Sequence, residues 1–394
     1  MIHTADILLW LFIAGSVAYV LLFSIVSLPL FGRCHNMLQP SGTDEDNTSA
    51  QKFHTFLILF PAYNEDTVIC RSVESFLCQQ YPSDHYHVTV ISDHMQPSTN
   101  DTLQRLPITL LTPTFSHSSK AKALQYAIKN TPVTYDYVVI LDADNTVSPD
   151  FLYRLNHSCL NGHHAIQCHR CAKNADTDIA MLDGISEEIN NTIFRKAHNR
   201  IGLSSALIGS GMCFSHTWFR DNVYSLSTAG EDRELETLLL QQGIYIKYEE
   251  DIHVRDEKVS NKDNFQRQRQ RWMSAQLNSL CTMLPQIPQA IIKGNINFID
   301  KTIQQMLIPR SILLVITPAI ATVMLMVSPV WSVKWWSLFT SLCVAMFMAM
   351  PPRLRTRSVF SCLSAFSVLT LRMLNNVRKI DKSNKTFIHT THDK

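Results

Sequence analysis

Hydrophobic positions along the chain fall into two regimes: long uncharged runs at the ends, and short apolar runs broken by polar turns between them. Ile7 to Leu28 holds no charged residue. At about 22 residues it is long enough to cross a hydrocarbon core of roughly 30 Å. A signal peptide would begin with a basic stretch, and Met1 to Asp6 has no Lys or Arg, so the run predicts a membrane anchor. Ile312 to Trp331 and Trp335 to Met350 are further uncharged runs, separated only by Ser332, Val333 and Lys334. They predict a transmembrane hairpin turning at those residues, with Trp331, Trp335 and Trp336 at the membrane interface. Val359 to Leu374 is shorter, holds Arg372, and predicts a helix lying in the interface, with a third C-terminal crossing that would put the tail outside as the alternative. Arg33 and Lys52 follow the first run, Arg310 precedes the hairpin, and Arg353, Arg355 and Arg357 follow it. Basic flanks favour the cytoplasmic side. The middle of the chain is therefore expected in the cytoplasm, attached to a multi-pass anchor in the cell (inner) membrane.

Gly32 to Lys52 is polar and has linker composition. From Phe53 to about Leu280, β-rich runs alternate with amphipathic stretches. Leu57 to Phe60 stops at Pro61, His87 to Ile91 runs to Asp93, Ile108 to Leu111 stops near Pro113, and Tyr137 to Leu141 stops at Asp142. Asp66 to Gln80 and Lys120 to Lys129 have helical spacing. This alternation predicts an α/β domain with a mostly parallel, Rossmann-like sheet covered on both faces. Ligands of such sheets bind beyond the carboxyl ends of the strands. The expected organisation is an anchor over 1–32, a linker over 33–52, the α/β domain over 53–282, interfacial helices over 283–311, the hairpin over 312–351, and an interfacial helix with a cytosolic tail over 352–394.

Charge narrows the partners. Lys and Arg number 35 against 33 Asp and Glu, a net +2, without the basic excess of a nucleic-acid binder. The ten Cys sit mostly alone in apolar runs, as in Phe76-Leu77-Cys78 and Leu342-Cys343-Val344, which predicts buried free thiols in a cytosolic domain. His163, His164, Cys168, His169 and Cys171 lie close together, but a zinc site needs a second ligand pair and none follows.

Acids gather where the predicted strands end. Asp142 and Asp144 flank Ala143 at the end of a buried strand. Carboxylates so close repel unless a cation joins them, and oxygen ligands with open positions suit Mg2+ or Mn2+ carrying a diphosphate. Tyr63 can stack on a base, Asn64 and Glu65 can bond a ribose or base edge, and Asp93 can pair with a base N–H. Lys120 opens a helix, where phosphate binds well. Glu231 and Asp232 follow Gly230 at another helix start; a carboxylate there could accept a proton from a hydroxyl, or merely cap the helix. Gln266 to Trp272 alternates Gln and Arg before Trp272, and Arg271 beside Trp272 suits an anion clamp next to a sugar platform.

Taken in order, Pro61-Ala62-Tyr63-Asn64-Glu65, Asp93, Asp142-x-Asp144, Glu231-Asp232 and Gln268-x-x-Arg271-Trp272 resemble the family 2 glycosyltransferases. The likeness is greatest to the membrane-embedded branch of cellulose, hyaluronan and poly-N-acetylglucosamine synthases, and it covers about Phe53 to Leu280. It implies a GT-A fold and inverting, metal-dependent hexosyl transfer from a nucleotide sugar, expected to be UDP-linked, to a glycan or lipid-linked acceptor. Single addition and processive polysaccharide synthesis both stay open. By position, the resemblance makes Asp232 the catalytic base. Asp144, with Asp142, would hold the metal. Tyr63, Glu65, Asp93, Lys120, Asp142, Gln268 and Arg271 would bind the donor. Gly209, Ser210, Gly211, Glu231 and Trp272 would meet the acceptor. Lys385 to His392 resembles a family ending that often has Trp where this chain has Phe387. Two features depart from the pattern: Ala121 replaces the usual Gly after the lysine, and three expected crossings are fewer than polymer-secreting synthases usually have. A non-catalytic membrane scaffold or partner subunit of a glycan-synthesis complex is the competing class, and it would have no use for the acids.

Overall fold

The computed structural model describes residues 2–29, 52–228, 230–259 and 262–355. The expected interfacial helix at 359–374, the tail and nearly all of the linker lie outside these residues.

Eight strands form one sheet among the described residues: β1 (Phe56–Tyr63), β2 (Tyr86–Asp93), β3 (Thr109–Leu111), β4 (Tyr137–Ile140), β5 (Thr146–Val147), β6 (Ala165–Ala172), β7 (Met212–Ser215) and β8 (Ile246–Asp256). Their order is β3-β2-β1-β4-β7-β6-β8-β5. The β3-β2-β1-β4 half is parallel, as is the β6–β8 pair, while β7 and β5 run antiparallel to their neighbours. Phe56 to Phe60 are all fully buried, as a strand covered on both faces requires. Side chains alternate between faces. Phe56, Ile58 and Phe60 join a core with α2 (Ile69–Phe76), α3 (Pro97–Gln104) and α5 (Phe151–Leu160). Leu57 and Leu59 join the opposite core with α4 (Lys120–Lys129), α8 (His216–Asn222), α9 (Glu231–Gln241) and α12 (Ile296–Met306).

Pro61 does not end β1, contrary to the sequence expectation. The strand continues to Tyr63, and Ala62 and Tyr63 still pair with Ser92 and Asp93. Backbone groups of alternate residues point to alternate sides. Leu59 accepts from Leu141 on the β4 side, whereas Asn64 donates to Asp93 on the β2 side. Pro61 therefore faces β4, whose pairing with β1 stops at Leu59. Its missing N–H has no ladder to break there.

Among the described residues, three helices are long and apolar enough to cross a membrane: α1 (Ile2–Val26), α13 (Arg310–Val327) and α14 (Pro329–Ala349). The hairpin turns at Ser328-Pro329, not at Ser332 to Lys334. A residue before proline is pushed out of helical geometry, and Ser328 is extended at φ −162°, ψ 118°. The tryptophans thus fall within α14. Trp335 is fully buried and donates to Asp6 at 2.9 Å, so its ring packs inside the helix bundle. Lys334 pairs with the same Asp6, an ion pair that links α1 to α14. At the other end, Arg200 donates to the carbonyls of Val26, the last residue of α1, at 3.3 Å and of Leu28 just beyond it at 2.7 Å, as a C-terminal cap. Arg310 donates to Asn190 and Arg353 to Glu188. The hairpin turn and the start of α1 therefore share one end, with the α/β domain at the other.

The described cysteines are free thiols, but not all are buried. Cys78 follows the end of α2 and is exposed, and Cys343 is half-buried.

Candidate active site

Strand ends and helix starts converge on one cavity of about 520 Å3, lined by Tyr63, Glu65, Asp93, Lys120, Asp142, Asp144, Gly209, Glu231, Asp232, Gln268, Arg271 and Trp272. These residues span more than half of the sequence and meet because the parallel strands stop on the same side. Asn64 (φ 53°) and His94 (φ 57°) hold left-handed backbone at the tips of β1 and β2, a strained state that clusters at functional sites. There, Tyr63 packs its ring 5.5 Å from His94, and the buried Asp93 lies 2.6 Å from His94 Nδ1.

The turn after β4 is internally braced. Asp142 N–H donates to Asn145 Oδ1 at 2.9 Å, and Asn145 N–H returns to the Asp142 carbonyl at 3.0 Å. Asp144 accepts from Glu257 N–H at 2.7 Å and from the Asn145 amide at 3.0 Å. Both carboxylates open on the cavity. Such a sparse oxygen set suits Mg2+ or Mn2+ when a substrate's phosphates supply further oxygens. Among the described residues no ready-made cluster of three His, Cys, Asp or Glu is present, so the remaining ligands would come from diphosphate and water.

Lys120, expected to face phosphate, instead bridges acids. Its ammonium lies 2.5 Å from Asp142 Oδ1, 2.5 Å from the Gly209 carbonyl and 3.4 Å from Glu231 Oε1. Those contacts match its three donors. Burial opposes the charge, but Asp142 and Glu231 hold Lys120 above the usual lysine range. Glu231 and Asp232 occupy the first turn of α9, where the helix dipole favours negative charge. Burial pushes the Glu231 carboxyl up to about 7 despite Lys120, with Asp232 adding to the rise.

The glycine loop acts from behind the surface. Gly209 lines the cavity, donates to Asp232 Oδ2 at 3.1 Å and accepts from Lys120. Ser210 is fully buried and hydrogen-bonds Asn145. Gly211 packs against Val254 and Cys168. Ser210 and Gly211, expected to meet the acceptor, lie behind the cavity lining, where the loop tucks under the turn after β4 and braces it. Gln268 Oε1 is buried without a hydrogen-bond partner among the described residues. The guanidinium stacked on Trp272 is that of Arg269, 4.6 Å from the ring centroid, although Arg271 also lines the cavity.

Sequence reasoning missed a buried ion network on one wall. Arg170 pairs with Glu187 at 2.7 Å and Asp256 at 3.4 Å, Lys258 with Asp256 at 2.7 Å, and Arg195 with Glu187 at 3.5 Å. Burial alone would raise the Glu187 carboxyl, but Arg170, Lys258 and Arg195 together hold it well below the usual range. The one signal in the chain was Arg170 within the strand Ala165 to Ala172, a charge where the pattern calls for apolar residues.

A GT-A-like sheet with acids gathered beyond its strand ends, on one cavity with a cationic and aromatic wall, defines a glycosyltransferase. A family model described as "Glycosyl transferase family group 2" matches residues 137–350, just over half of the chain, and the protein belongs to that family. Among solved structures, the mannosyltransferase PcManGT from Pyrobaculum calidifontis, in complex with GDP-Man and Mn2+, is 14% identical, with a TM-score of 0.53 over 94% of this chain and 100% of that one. S. aureus TarS 1-349 with UDP-GlcNAc is 13% identical, with a TM-score of 0.44 over 82% of this chain and 92% of that one. Glucosyl-3-phosphoglycerate synthase from Mycobacterium tuberculosis, with Mn2+, UDP and glucosyl-3-phosphoglycerate, is 17% identical, with a TM-score of 0.37 over 54% of this chain and 75% of that one. Only the first likeness supports the fold. No curated protein matches the chain by sequence.

Proposed function

We propose that the protein is a membrane-anchored, inverting transferase of the membrane-embedded branch, moving a hexose from a nucleotide sugar to an acceptor on the cytoplasmic side. The observation that carries this reading is the meeting of Asp93, Asp142, Asp144, Asp232, Arg271 and Trp272 on one cavity. Tyr63, Glu65 and Asp93 would hold the nucleoside at the tips of β1 and β2. Asp142 and Asp144 would hold Mg2+ or Mn2+, which would neutralise charge on the diphosphate. Gln268 and Arg271 would face that diphosphate, and Trp272 would offer its ring to a sugar. Asp232, oriented by the Gly209 N–H, would take the proton of the attacking hydroxyl. Lys120 would fix Asp142 and Glu231 rather than touch phosphate. The apolar helices α1, α13 and α14 would cross the membrane.

The test is a screen of UDP- and GDP-linked sugars for release of free nucleotide by the purified full-length protein. At least one donor is expected to turn over with Mn2+ or Mg2+, and chelation should stop it. Asp144→Ala should abolish metal-dependent nucleotide binding in titrations. Unchanged binding in that variant would remove Asp144 from the metal site.

A further inference from the structure

We propose that the acceptor is a sugar carried on a lipid phosphate, with the phosphate between Arg269 and Arg310 and the hydrocarbon chain in the crevice between α1, α6 (Asp178–Asn190) and the α13–α14 hairpin. This rests on the transferase reading above and names its acceptor class.

The cavity has two limbs of opposite character. One is lined by the acids described above. The other is lined by Val20 of α1, Ile185 and Ile189 of α6, Leu314 of α13, and Met346 and Met350 at the end of α14. A nucleotide sugar is polar along its whole length, and so is a free glycan; neither matches an apolar limb bounded by membrane-length helices. A lipid chain does.

Where the limbs meet, two guanidiniums face the cavity. Arg269 donates to Asp183 at 2.7 Å, and Arg310 donates to Asn190 at 2.5 Å. Asp183 and Asn190 stand two turns apart on α6, a rise of roughly 10 Å, so both cations lie along one wall. Arg269 is stacked on the Phe265 and Trp272 rings, 4.9 and 4.6 Å from their centroids. Asp183 answers Arg269, but Asn190 is neutral. Arg269 Nε and Arg310 Nη1 are buried and have no hydrogen-bond partner among the described residues. Buried donors left unmade are costly, and a phosphate is the anion whose oxygens match a guanidinium fork. With the phosphate there and the chain in the crevice, the head sugar points towards Asp232. Its hydroxyl oxygen forms the new bond to the anomeric carbon. The bond from that carbon to the donor diphosphate breaks, the nucleoside diphosphate leaves with the electron pair, and the proton passes to Asp232. The lipid phosphate keeps its bonds throughout.

The test uses full-length protein in lipid nanodiscs, with EDTA present so that metal cannot hold diphosphate in the donor site (Mn2+ is restored for the donor titration), and three probes: farnesyl diphosphate, farnesol and inorganic diphosphate. Farnesyl diphosphate should bind at least tenfold more tightly than either of the others. Arg310→Gln should remove tenfold or more of its advantage over farnesol, the scale of a charge-assisted hydrogen bond, and Arg310→Lys should restore part of it. Leu314→Trp, which fills the crevice, should weaken farnesyl diphosphate and leave inorganic diphosphate unchanged. Equal binding of inorganic diphosphate would mean a free-phosphate site, and equal binding of farnesol would mean a greasy surface; either overturns the proposal, as does an Arg310→Gln variant with wild-type affinity for farnesyl diphosphate. Donor titration in the same nanodiscs separates the two levels. Donor binding without lipid-phosphate binding defeats this inference alone, whereas wild-type protein that binds no nucleotide sugar defeats the reading beneath it.

Discussion

Glu231 and Asp232 are neighbours on the first turn of α9, yet they do different work. Asp232 is oriented by the Gly209 N–H and Glu231 by Lys120. With its carboxyl pushed up to about 7, Glu231 is mostly neutral at pH 6 and mostly ionised at pH 8. Because the folded value lies above the unfolded one of about 4.3, the folded state binds more protons between the two values, so this group's contribution to stability is lost as pH rises from about 4.3 through about 7. Ionised Glu231 also strengthens the grip on Lys120. Transfer by the wild type should therefore show an inflection near pH 7 in kcat/KM, and Glu231→Gln should flatten it. Asp232→Asn should keep donor affinity and lose transfer by about 10²–10⁴-fold at every pH, the usual worth of a general base. Near wild-type transfer in Asp232→Asn would move the base role elsewhere, with Glu231 next in line.

At the scale of elements, the loop before β7 shows how a site is braced from behind. Gly211 has φ 65°, and a Cβ there would sit 3.0 Å from Val254 Cγ2 and 3.4 Å from Cys168 Cβ. Neither neighbour is a flexible tip, since both belong to buried strands. Gly211→Ala should cost about 1–3 kcal/mol from left-handed strain and overpacking, visible as a Tm lowered by several degrees in purified protein. A Tm within one degree of wild type would show that the loop relaxes freely. The first four strands were legible from short apolar runs ending near Pro or Asp, whereas β5, β7 and β8 were not. The passage of β1 through Pro61 was not, because it depends on where the neighbouring β4 stops. The helix break at Ser328-Pro329 was legible in principle from the proline, but the uncharged run masked it.

Across the whole molecule, α1 is tied to the catalytic domain as well as to the hairpin. Tyr19 Oη lies 2.7 Å from Asp300 and 2.8 Å from His198, and the Phe23 ring stacks on His198 at 3.8 Å. Tyr19→Phe keeps the packing and removes one donor from a half-buried carboxylate, so it should cost about 1–3 kcal/mol. The measurement is thermal unfolding of the detergent-solubilised full chain, and an unchanged Tm would mean that the domain and the anchor are energetically independent.

Local sequence pattern determined the first four strands and the helices between them, the apolar ends and the acids at those strand tips, because those properties are local and repeat with the backbone period. The tertiary structure decided which charges meet. Arg269 lies on Trp272, Lys120 bridges Asp142 and Glu231, and Ser210 and Gly211 stand behind the site. Each of these depends on which segments distant in the chain pack together, and spacing along one element carries no information about that.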